Sequence, residues 1–359
     1  MSQTTSTRDL LIVGQGIAGS VLALCARSAG YSVRVLDRGH SPSSSLAAAG
    51  LVNPFILKRR KLVWKAIEHV QEAEGFYSEW ERRLDQPFYN RQTIHRMVHD
   101  VAEWNDWKSM EVGVDAGIFH GGMVNSLPSG AQLDAPHGYF RVQGSGWMDV
   151  PIFLSLAKDY LIQDDSYSEE TFEARRLEIS PGAHRYNGLE YRHVIICTGV
   201  PSIEADSGPR TPLFGDLPFN PAKGHTVDVR VPGWGLKELI HAAVFVIPLD
   251  EDLYRIGSTY SWHRLDEVVE PKEVRRLLDD FESICPMGYE VVKSRAGVRP
   301  ATKDRRPLIG SLPNKPGCHL FGGLGSRAVM NAPSLARLLL KHIFQGMRIP
   351  EEISVLRYH

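Results

Sequence analysis

Residues 9–39 read DLLIVGQGIAGSVLALCARSAGYSVRVLDRG and decide the fold of the chain. Two short apolar runs, at 10–13 and 32–36, flank a glycine turn and an amphipathic stretch at 18–29. Runs of this length bounded by glycines are typical of buried strands, and the amphipathic stretch is typical of a helix. The segment therefore predicts a strand, a helix and a second strand, which form a βαβ unit.

The turn between the first strand and the helix carries the spacing GxGxxG, at Gly14, Gly16 and Gly19. Such glycines allow a tight turn, the approach of a pyrophosphate to the backbone and close packing of helix on strand. The helix N-terminus then favours the diphosphate anion, and Asp37 follows the second strand where a ribose-binding acid is expected. The unit predicts a dinucleotide site and leaves FAD and NAD open, with a purely structural turn as the alternative.

Composition excludes some classes of partner. The chain has 359 residues, with 41 Lys and Arg against 42 Asp and Glu, so its net charge of -1 gives no overall field for nucleic acid or an anionic membrane. Four cysteines lie far apart without a CxxC pair, so we expect neither a zinc site nor disulfides, and a reducing, cytoplasmic setting. We expect no targeting segment and no membrane span, because the longest uncharged run is short and broken by glycines.

Further elements follow along the chain. Helical patterns occupy 68–84, 151–161, 272–283 and 332–344, the last with a proline in its first turn, and an Asn-Gly turn at 187–188 predicts a hairpin that leads into HVIICTG at 193–199. The small residues of SSSLAAAGLVNP, at 43–54, and a second glycine loop, FGGLGSR at 321–327, favour FAD over NAD. A nicotinamide dinucleotide fold does not need the distant second loop, whose following helix would face a flavin.

Seven motifs together resemble a known family in their order along the chain. They are AAAGLVNP (47–54), QGSGWMDVP (143–151), VIICTG (194–199), KGHTVDV (223–229), YRIGSTY (254–260), GVRPATKDRRPLIG (297–310) and GLGSRAVMNAP (323–333). The set is similar to the D-amino-acid oxidase/glycine oxidase class of FAD-dependent oxidoreductases (DAO family). The last two resemble most the oxidase half of the bifunctional tRNA enzyme that matures methylaminomethyl-thiouridine; the sequence shows no methyltransferase half, so we expect no two-step activity.

The resemblance implies an α/β fold with two domains. A Rossmann-like FAD-binding domain would be assembled from 1–86, 138–222 and 291–359, and a smaller α+β substrate domain, with a β-sheet, from 87–137 and 223–290. The residues implied for FAD are Gly14, Gly16, Ile17, Ala18, Gly19, Asp37, Arg38, Ser45, Ala49, Gly50, Leu51, Thr198, Gly199, Gly323, Leu324, Gly325, Ser326, Arg327 and Ala328. Because 297–310 lacks the cysteine by which sarcosine oxidases link their flavin, we expect noncovalent FAD.

Three residues are implied for catalysis. Arg299 matches the arginine that holds the substrate carboxylate in relatives, and a guanidinium offers planar paired donors that suit a carboxylate; a structural ion pair is the alternative. Arg327 would lie near the flavin or the substrate, or would tether its loop. Tyr260, together with Trp262, would line the substrate side, unless both rings belong to the core.

Other charged residues receive weaker interpretations. Lys303, Arg305 and Arg306 are expected in a solvated turn, and the KRRK run at 58–61 is either an RNA contact or a solvated loop. A metal role for His95, His99 and Glu103 would need a shared face that their pattern does not support, so we expect no metal.

The function that this reading predicts is oxidation of a small amine or amino acid by hydride transfer to flavin N5, with dioxygen as acceptor. Three alternatives remain open: a 2-hydroxy acid dehydrogenase, oxidation of a modified nucleoside in tRNA, and a flavin-binding module without turnover.

Overall fold

A computed structural model describes residues 7–39, 43–109, 117–200 and 217–358. The chain forms two compact units of nearly equal length. The first contains 1–46, 151–222 and 298–359, and the second contains 47–150 and 223–297. Both units mix helices and strands.

The elements are numbered in chain order. The helices are α1 Ile17–Ser28, α2 Ala66–Leu84, α3 Val101–Ser109, α4 Val150–Gln163, α5 Pro271–Glu282 and α6 Ala328–Gln345. The strands are β1 Arg8–Val13, β2 Val33–Asp37, β3 Leu51–Val52, β4 Phe55–Ile56, β5 Lys61–Leu62, β6 Tyr89–Arg91, β7 Ile94–Met97, β8 His120–Val124, β9 Tyr139–Val142, β10 Gly146–Met148, β11 Tyr167–Glu169, β12 Glu178–Ser180, β13 Ala183–Tyr186, β14 Leu189–Ile196, β15 Ala222–Arg230, β16 Leu239–His241, β17 Phe245–Pro248, β18 Leu253–Gly257, β19 Glu290–Arg299, β20 Leu308–Ser311 and β21 Cys318–Gly322.

The sheet of the first unit is parallel at its centre. β1 lies between β2 and β14, β11 continues the sheet beyond β2, and the second half of β14 pairs with β21, all in parallel. β1 and the end of β14 are buried on both faces, as expected for a parallel sheet that is covered on each side. One face carries an apolar cluster that includes Leu11, Val194 and Leu320, and α1 packs against α6.

The second unit is built on a sheet of different construction. Its strands follow the order β19, β15, β18, β17, β16, β7, β9, β8, and most of its neighbours are antiparallel. One face of this sheet packs on an apolar cluster to which α5 contributes Leu277, Leu278 and Phe281. The second unit is thus a mixed α+β structure with its own core.

The compact units begin and end at other residues than the predicted domains. Residues 47–86, 138–150 and 291–297, which were predicted to belong to the FAD-binding domain, belong to the second unit. The reason is strand pairing: β10 lies between β3 and β6, so the three segments form one small sheet. The second unit is therefore longer than the two insertions from which it was predicted.

Most predicted elements are present, and one boundary was wrong. The predicted helix at 18–29 is α1, and the Asn187-Gly188 turn, with both φ angles positive, joins β13 to β14. The last helix begins at Ala328, four residues before the predicted start, and Pro333 lies inside it. A proline is disfavoured within a helix and tolerated in its first turn, and for this reason the helix was predicted to begin just before Pro333.

Cys25, Cys197, Cys285 and Cys318 are buried, and none of them is in a disulfide bond. Among the helices of the described ranges, none combines the length and the apolar character that crossing a bilayer requires.

A chain of histidine hydrogen bonds crosses the first unit. His342 Nδ1 lies 2.8 Å from the Met347 carbonyl, Ser311 Oγ lies between His342 Nε2 (2.9 Å) and His319 Nδ1 (3.1 Å), and His319 Nε2 lies 3.1 Å from His193 Nδ1. The carbonyl can only accept, so His342 Nδ1 donates, Ser311 donates to His342, His319 donates to Ser311 and His193 donates to His319. When the three rings are neutral, these bonds therefore hold each of them in one tautomer.

Protonation of this chain is opposed by burial. Burial, with His193, His342 and His184 nearby, lowers the pKa of His319 to about 3, and burial also lowers the pKa of His193. A proton added to His319 Nε2 would face the donor of His193 and break the bond between the two rings.

We expect the free energy of unfolding to fall as the pH is lowered from about 7.5 to 5.5. The unfolded chain protonates His319 near 6.5 while the folded chain does not, so between these pKa values the unfolded state binds more protons and gains stability. One such group accounts for about 1.4 kcal/mol at pH 5.5. Urea unfolding at several pH values measures this change. In His319→Gln, the fall in the free energy of unfolding should be smaller by about this amount, whereas in His263→Gln, at an exposed site, it should equal that of the wild type. An equal dependence of the free energy of unfolding on pH in both variants would contradict the assignment.

Candidate functional site

Four predicted site segments meet at one edge of the first unit's sheet. Gly14 follows β1, Asp37 ends β2, Cys197 and Thr198 follow β14, and Gly323 follows β21. These four strands are parallel neighbours in the order β2, β1, β14, β21. Because their carboxyl ends share an edge, both glycine loops lie at the position where open parallel sheets bind ligands.

Close backbone approaches explain the glycines of the first loop. Gly14 has a φ of +100°, and a Cβ there would lie 2.8 Å from the Cys197 carbonyl oxygen. A Cβ on Gly19 would overlap the Gly14 carbonyl oxygen, and one on Gly16 would lie 2.8 Å from Ser45 Oγ. A side chain at Gly14 or Gly19 would therefore collide with backbone, whereas one at Gly16 would require the Ser45 side chain to move.

Asp37 connects this loop to β2. Its Oδ2 accepts a hydrogen bond of 2.7 Å from the Gln15 amide. Its Oδ1 is buried and has no hydrogen-bond partner in the part of the chain that the structure describes. A buried carboxylate oxygen without a donor is costly, so this atom suits a ligand hydroxyl. Arg38, the next residue, is exposed.

The N-terminus of α1 presents backbone donors. Its first turn contains no acidic residue, and no side chain caps the helix at Gly16. The Ile17 amide donates to Ser45 Oγ at 3.2 Å, whereas the amides of Ala18 and Gly19, in the first turn, have no acceptor within the helix. Free amides and the positive end of the helix dipole suit a phosphate group.

The second loop repeats this construction before α6. Gly323 has a φ of +68°, and a Cβ there would lie 2.9 Å from the Leu308 nitrogen; Gly325 has a φ of +58°. Leu324 is buried, Ser326 is exposed, and α6 begins at Ala328 without an acidic residue in its first turn. The second loop therefore also brings bare backbone and a helix N-terminus to the same edge of the sheet.

The two predicted arginines adjoin this second loop. Arg299 is the last residue of β19, and the carbonyl of the next residue, Pro300, accepts the Gly325 amide at 3.1 Å. Arg327 is the residue before α6. Both are half-buried.

Gly199 follows Thr198 in the first unit and has a φ of +77°, whereas the other remaining predicted site residues lie in the second unit. Gly50 has a φ of +75°, and a Cβ there would overlap the Met148 carbonyl oxygen, while Leu51 pairs with Trp147; Ala49 precedes them and is half-buried. Tyr260 and Trp262 are 50% and 56% exposed, with ring centroids 6.5 Å apart. This exposure excludes the alternative that the two rings belong to the core.

Weaker candidates separate into different roles. Lys303 and Arg305 are exposed and Arg306 is half-buried, in a turn whose Asp304 binds Arg357. In the KRRK run, Arg60 pairs with Asp106 at 2.8 Å, and its three basic neighbours are exposed.

The suspected metal residues have other roles. His95 is buried in β7, and Glu103 accepts from the His99 amide, Arg96 and Trp107. Within the described ranges, no three His, Cys, Asp or Glu side chains form a group that could hold a metal ion.

Two features escaped the sequence interpretation. Gln15 is fully buried inside the glycine loop and donates to Ser20 Oγ and to the Leu154 carbonyl, both at 3.0 Å, which fixes the loop from inside. Lys223 is fully buried and pairs with two carboxylates. The sequence indicated the burial of Gln15 and of Lys223 only through a polar residue inside an otherwise apolar pattern.

The edge fits an adenine dinucleotide. The orphaned Asp37 Oδ1 suits a ribose hydroxyl, and the bare backbone at Gly14–Gly19 with the α1 N-terminus suits a diphosphate. A second glycine loop lies on the neighbouring part of the same edge.

Comparison with known proteins identifies a family whose model matches most of the chain. The family model described as "FAD dependent oxidoreductase" (DAO) matches residues 9–341. Glycine oxidase of Geobacillus kaustophilus is 23% identical, and the match covers 92% of this chain and 91% of that protein. A tRNA 5-methylaminomethyl-2-thiouridine biosynthesis bifunctional protein of Chromohalobacter salexigens is 23% identical over 96% of this chain, which spans only 57% of that protein's length.

Solved structures show the same fold. Iminodiacetate oxidase from Chelativorans sp. BNC1 superposes with a TM-score of 0.79 at 20% identity, covering 96% of this chain and 98% of that one. Glycine oxidase from Bacillus cereus ATCC 14579 superposes with a TM-score of 0.74 at 18% identity, covering 95% and 96%.

We expect Asp37→Asn to weaken flavin binding roughly 10- to 100-fold, because the amide would place a donor where the site offers an acceptor. Fluorescence titration of the apoprotein with FAD measures the change. Asp9→Asn is the matched control: Asp9 accepts from the Ser32 amide at 2.9 Å at the opposite edge of the same sheet, so the FAD affinity of this variant should match that of the wild type. Equal losses in both variants would mean that Asp37 acts through folding alone.

Proposed function

The chain belongs to the family of FAD-dependent oxidoreductases (DAO), and we propose from this premise that it oxidises a small amine or amino acid with dioxygen as electron acceptor. The observation that carries the proposal is the shared sheet edge, where two glycine loops, two helix N-termini and Asp37 come together. Arg299 begins the segment that contacts the second loop. This arrangement supports the proposal of a dinucleotide site with a cation, Arg299, for a substrate anion.

The residues proposed to hold FAD are those of both loops and the ends of the parallel strands. Asp37 would bind the ribose, the α1 N-terminus the diphosphate, and the loop Gly323–Ala328 the flavin, with further contacts from Arg38, Ser45, Ala49, Gly50, Leu51, Thr198 and Gly199. When bound, FAD supplies a hydride acceptor at N5. The sequence 297–310 contains no cysteine, which supports noncovalent binding.

Arg299 is proposed to bind the substrate carboxylate. A guanidinium makes two parallel hydrogen bonds to a carboxylate, which fixes the orientation of the adjacent Cα–H bond. Orientation of this kind can lower the activation barrier by a large amount when no covalent step is needed. Tyr260 is proposed to contact the rest of the substrate, and Arg327 to place positive charge near the flavin or the substrate.

The proposed reaction balances without a nucleophile. A neutral amine loses a hydride from Cα and a proton from nitrogen, which leaves an imine; water then converts the imine to an oxo compound and ammonia or an amine. Dioxygen takes up the two electrons with two protons and leaves as hydrogen peroxide. The chain's task is to orient the Cα–H bond and to bind the amine in its neutral form.

The relatives support an amine that carries a carboxylate. Glycine and iminodiacetate, named in the matched oxidases, both have a carboxylate one carbon from the nitrogen, which is the geometry an arginine can orient. A second candidate is oxidation of a modified nucleoside in tRNA. It is favoured by the bifunctional tRNA relative and by the exposed Lys58, Arg59 and Lys61.

Anaerobic bleaching of the flavin tests the reaction class. We expect glycine, sarcosine or another N-substituted amino acid to bleach the yellow holoenzyme, and readmitted air to restore the colour with release of peroxide. Bleaching by 2-hydroxy acids alone would replace the proposal with a hydroxy acid dehydrogenase. Bleaching only by tRNA that carries the modified nucleoside would favour the second candidate, and no bleaching by any of them would leave a flavin-binding module.

We expect Arg299→Ala to lower kcat/KM for a carboxylate-bearing amine by roughly 100-fold or more, since two charge-assisted hydrogen bonds are lost. FAD content should not change. Arg305→Ala is the control, because Arg305 is exposed in the same stretch of sequence and should behave as the wild type. Unchanged kinetics in Arg299→Ala would assign that arginine to a structural ion pair.

A further inference from the structure

A loop in the second unit exposes several apolar side chains. It spans 259–270, between β18 and α5. Its exposed large apolar residues are Tyr260, Trp262, Leu265 and Val268. Free loops do not keep such side chains in one arrangement, because water favours their collapse and chain entropy favours many conformations. Specific contacts are therefore needed to hold the loop in one arrangement.

Backbone and histidine contacts hold the start of the loop to β15. The amide of Lys223 donates to the Ser261 carbonyl at 2.8 Å, and the Ser261 amide donates to the Lys223 carbonyl at 2.9 Å. The His225 amide donates to Thr259 Oγ1 at 3.0 Å. These bonds fix the backbone on both sides of Tyr260, and they therefore fix the position from which its side chain extends.

The end of the loop is held by the side chain of Lys223. Its ammonium group is completely buried and pairs with Asp266 and with Glu270, the latter at 2.8 Å. The Glu270 amide also donates to His225 Nε2 at 3.1 Å. One buried cation therefore joins the middle and the end of the loop to the strand that already holds its beginning.

The ion pairs persist over the pH range in which an oxidase is assayed. Burial alone would lower the pKa of Lys223, but the hydrogen bonds to Asp266 and Glu270 raise it. The hydrogen bond to Lys223 in turn lowers the pKa of Asp266 and of Glu270. The clamp thus loses charge only in acid, as the carboxylates protonate below their ordinary pKa values, or in strong base.

Stability alone does not account for a buried lysine here. Removing the Lys223 ammonium group from water costs free energy, which its ion pairs with two partly exposed carboxylates must offset. A fixed geometry is a use that such ion pairs can serve. The geometry that Lys223 fixes is that of the loop with Tyr260 and Trp262, whose rings lie 6.5 Å apart and are inclined by 31°. Two rings at that spacing offer an apolar and cation-attracting surface.

We propose that Lys223 is a positioning residue, which holds the loop 259–270 through Asp266 and Glu270 so that Tyr260 and Trp262 select substrates with an apolar or aromatic substituent. The selection step rests on the proposed function, in which Tyr260 contacts the substrate. The clamp itself does not depend on it.

The clamp is tested by limited proteolysis of the holoenzyme with trypsin at Arg264, whose side chain is 63% exposed in the loop. Lys223→Met should speed cleavage after Arg264 roughly tenfold, since charge-assisted hydrogen bonds no longer oppose local opening. Lys223→Arg keeps the charge and should restore slow cleavage. Arg275→Ala removes an exposed ion pair with Asp279 on α5 and should leave the rate unchanged. Equal rates in wild type and Lys223→Met would overturn the clamp.

The selection step is tested with two carboxylates that need no turnover, benzoate and acetate, through their perturbation of the flavin absorption spectrum. Lys223→Met should weaken benzoate binding roughly fivefold or more and leave acetate binding unchanged, because only benzoate presents a ring to the aromatic pair. Faster cleavage at Arg264 with unchanged benzoate affinity would overturn the selection step and keep the clamp. A wild-type flavin spectrum that benzoate does not perturb would also overturn selection.

If Lys223→Met does not bind FAD, the Glu270→Gln variant replaces it, because the Glu270 carboxylate is partly exposed and the substitution leaves the ion pair with Asp266 in place. Asp266 is not substituted, because it also pairs with Arg264 at the cleavage site. Cleavage at Arg264 that is faster than in the wild type supports the clamp, and wild-type cleavage overturns it. Absence of amine oxidation in the bleaching experiment would reject the proposed function without affecting the proteolysis result.

Discussion

The first unit depends on the close approach of two backbones, at Gly14 and at Cys197. The Gly14 amide donates to the Leu36 carbonyl and the Cys197 amide to the Val13 carbonyl, both at 2.7 Å, so three strands end side by side. No side chain fits at Gly14 or Gly19 without overlap or strain. Because that contact brings the strand ends together, it also sets where Asp37 and the α1 N-terminus lie, and thereby where a dinucleotide can bind.

Parallel order extends this constraint to residues that are far apart in sequence. β21 follows β1 by about three hundred residues, yet both border β14, so the two glycine loops occupy neighbouring places on one edge. α6 packs against α1, and both helices start from that edge. A discontinuous chain can build a single cofactor site in this way because strand pairing, not sequence distance, decides which loops are neighbours.

The sequence predicted well whatever depends on local pattern. The βαβ unit, the Asn187-Gly188 hairpin and the glycine loops follow from turn chemistry and periodicity, and the structure confirms them. Long-range pairing was harder to predict: β3, β6 and β10 are short, and nothing local shows that they form one sheet. The buried Lys223 was missed for the same reason, since its two carboxylates lie more than forty residues away.

Within the site, prediction was better for backbone than for side chains. Glycines at close approaches carry a sequence signature because any other residue is excluded, whereas an arginine is compatible with many environments. Arg299 and Arg305 look alike in sequence, and only the structure separates a half-buried strand end from an exposed turn. The roles of Arg299, Arg327 and Tyr260 therefore stay proposals.

One carboxylate, that of Asp304, organises the basic turn at 303–306 within the stretch GVRPATKDRRPLIG (297–310). Asp304 accepts from the Arg306 amide at 2.9 Å and from Tyr358 Oη at 2.9 Å, and it pairs with Arg357. These contacts close the turn and direct Lys303 and Arg305 to solvent. Thr302 donates to the Arg306 carbonyl at 2.7 Å, and its methyl group lies under Gly323, where a Cβ would come within 2.9 Å of it. The basic turn is thus a structural support for the second glycine loop, and the catalytic role proposed for Arg299 concerns a residue that lies before this turn.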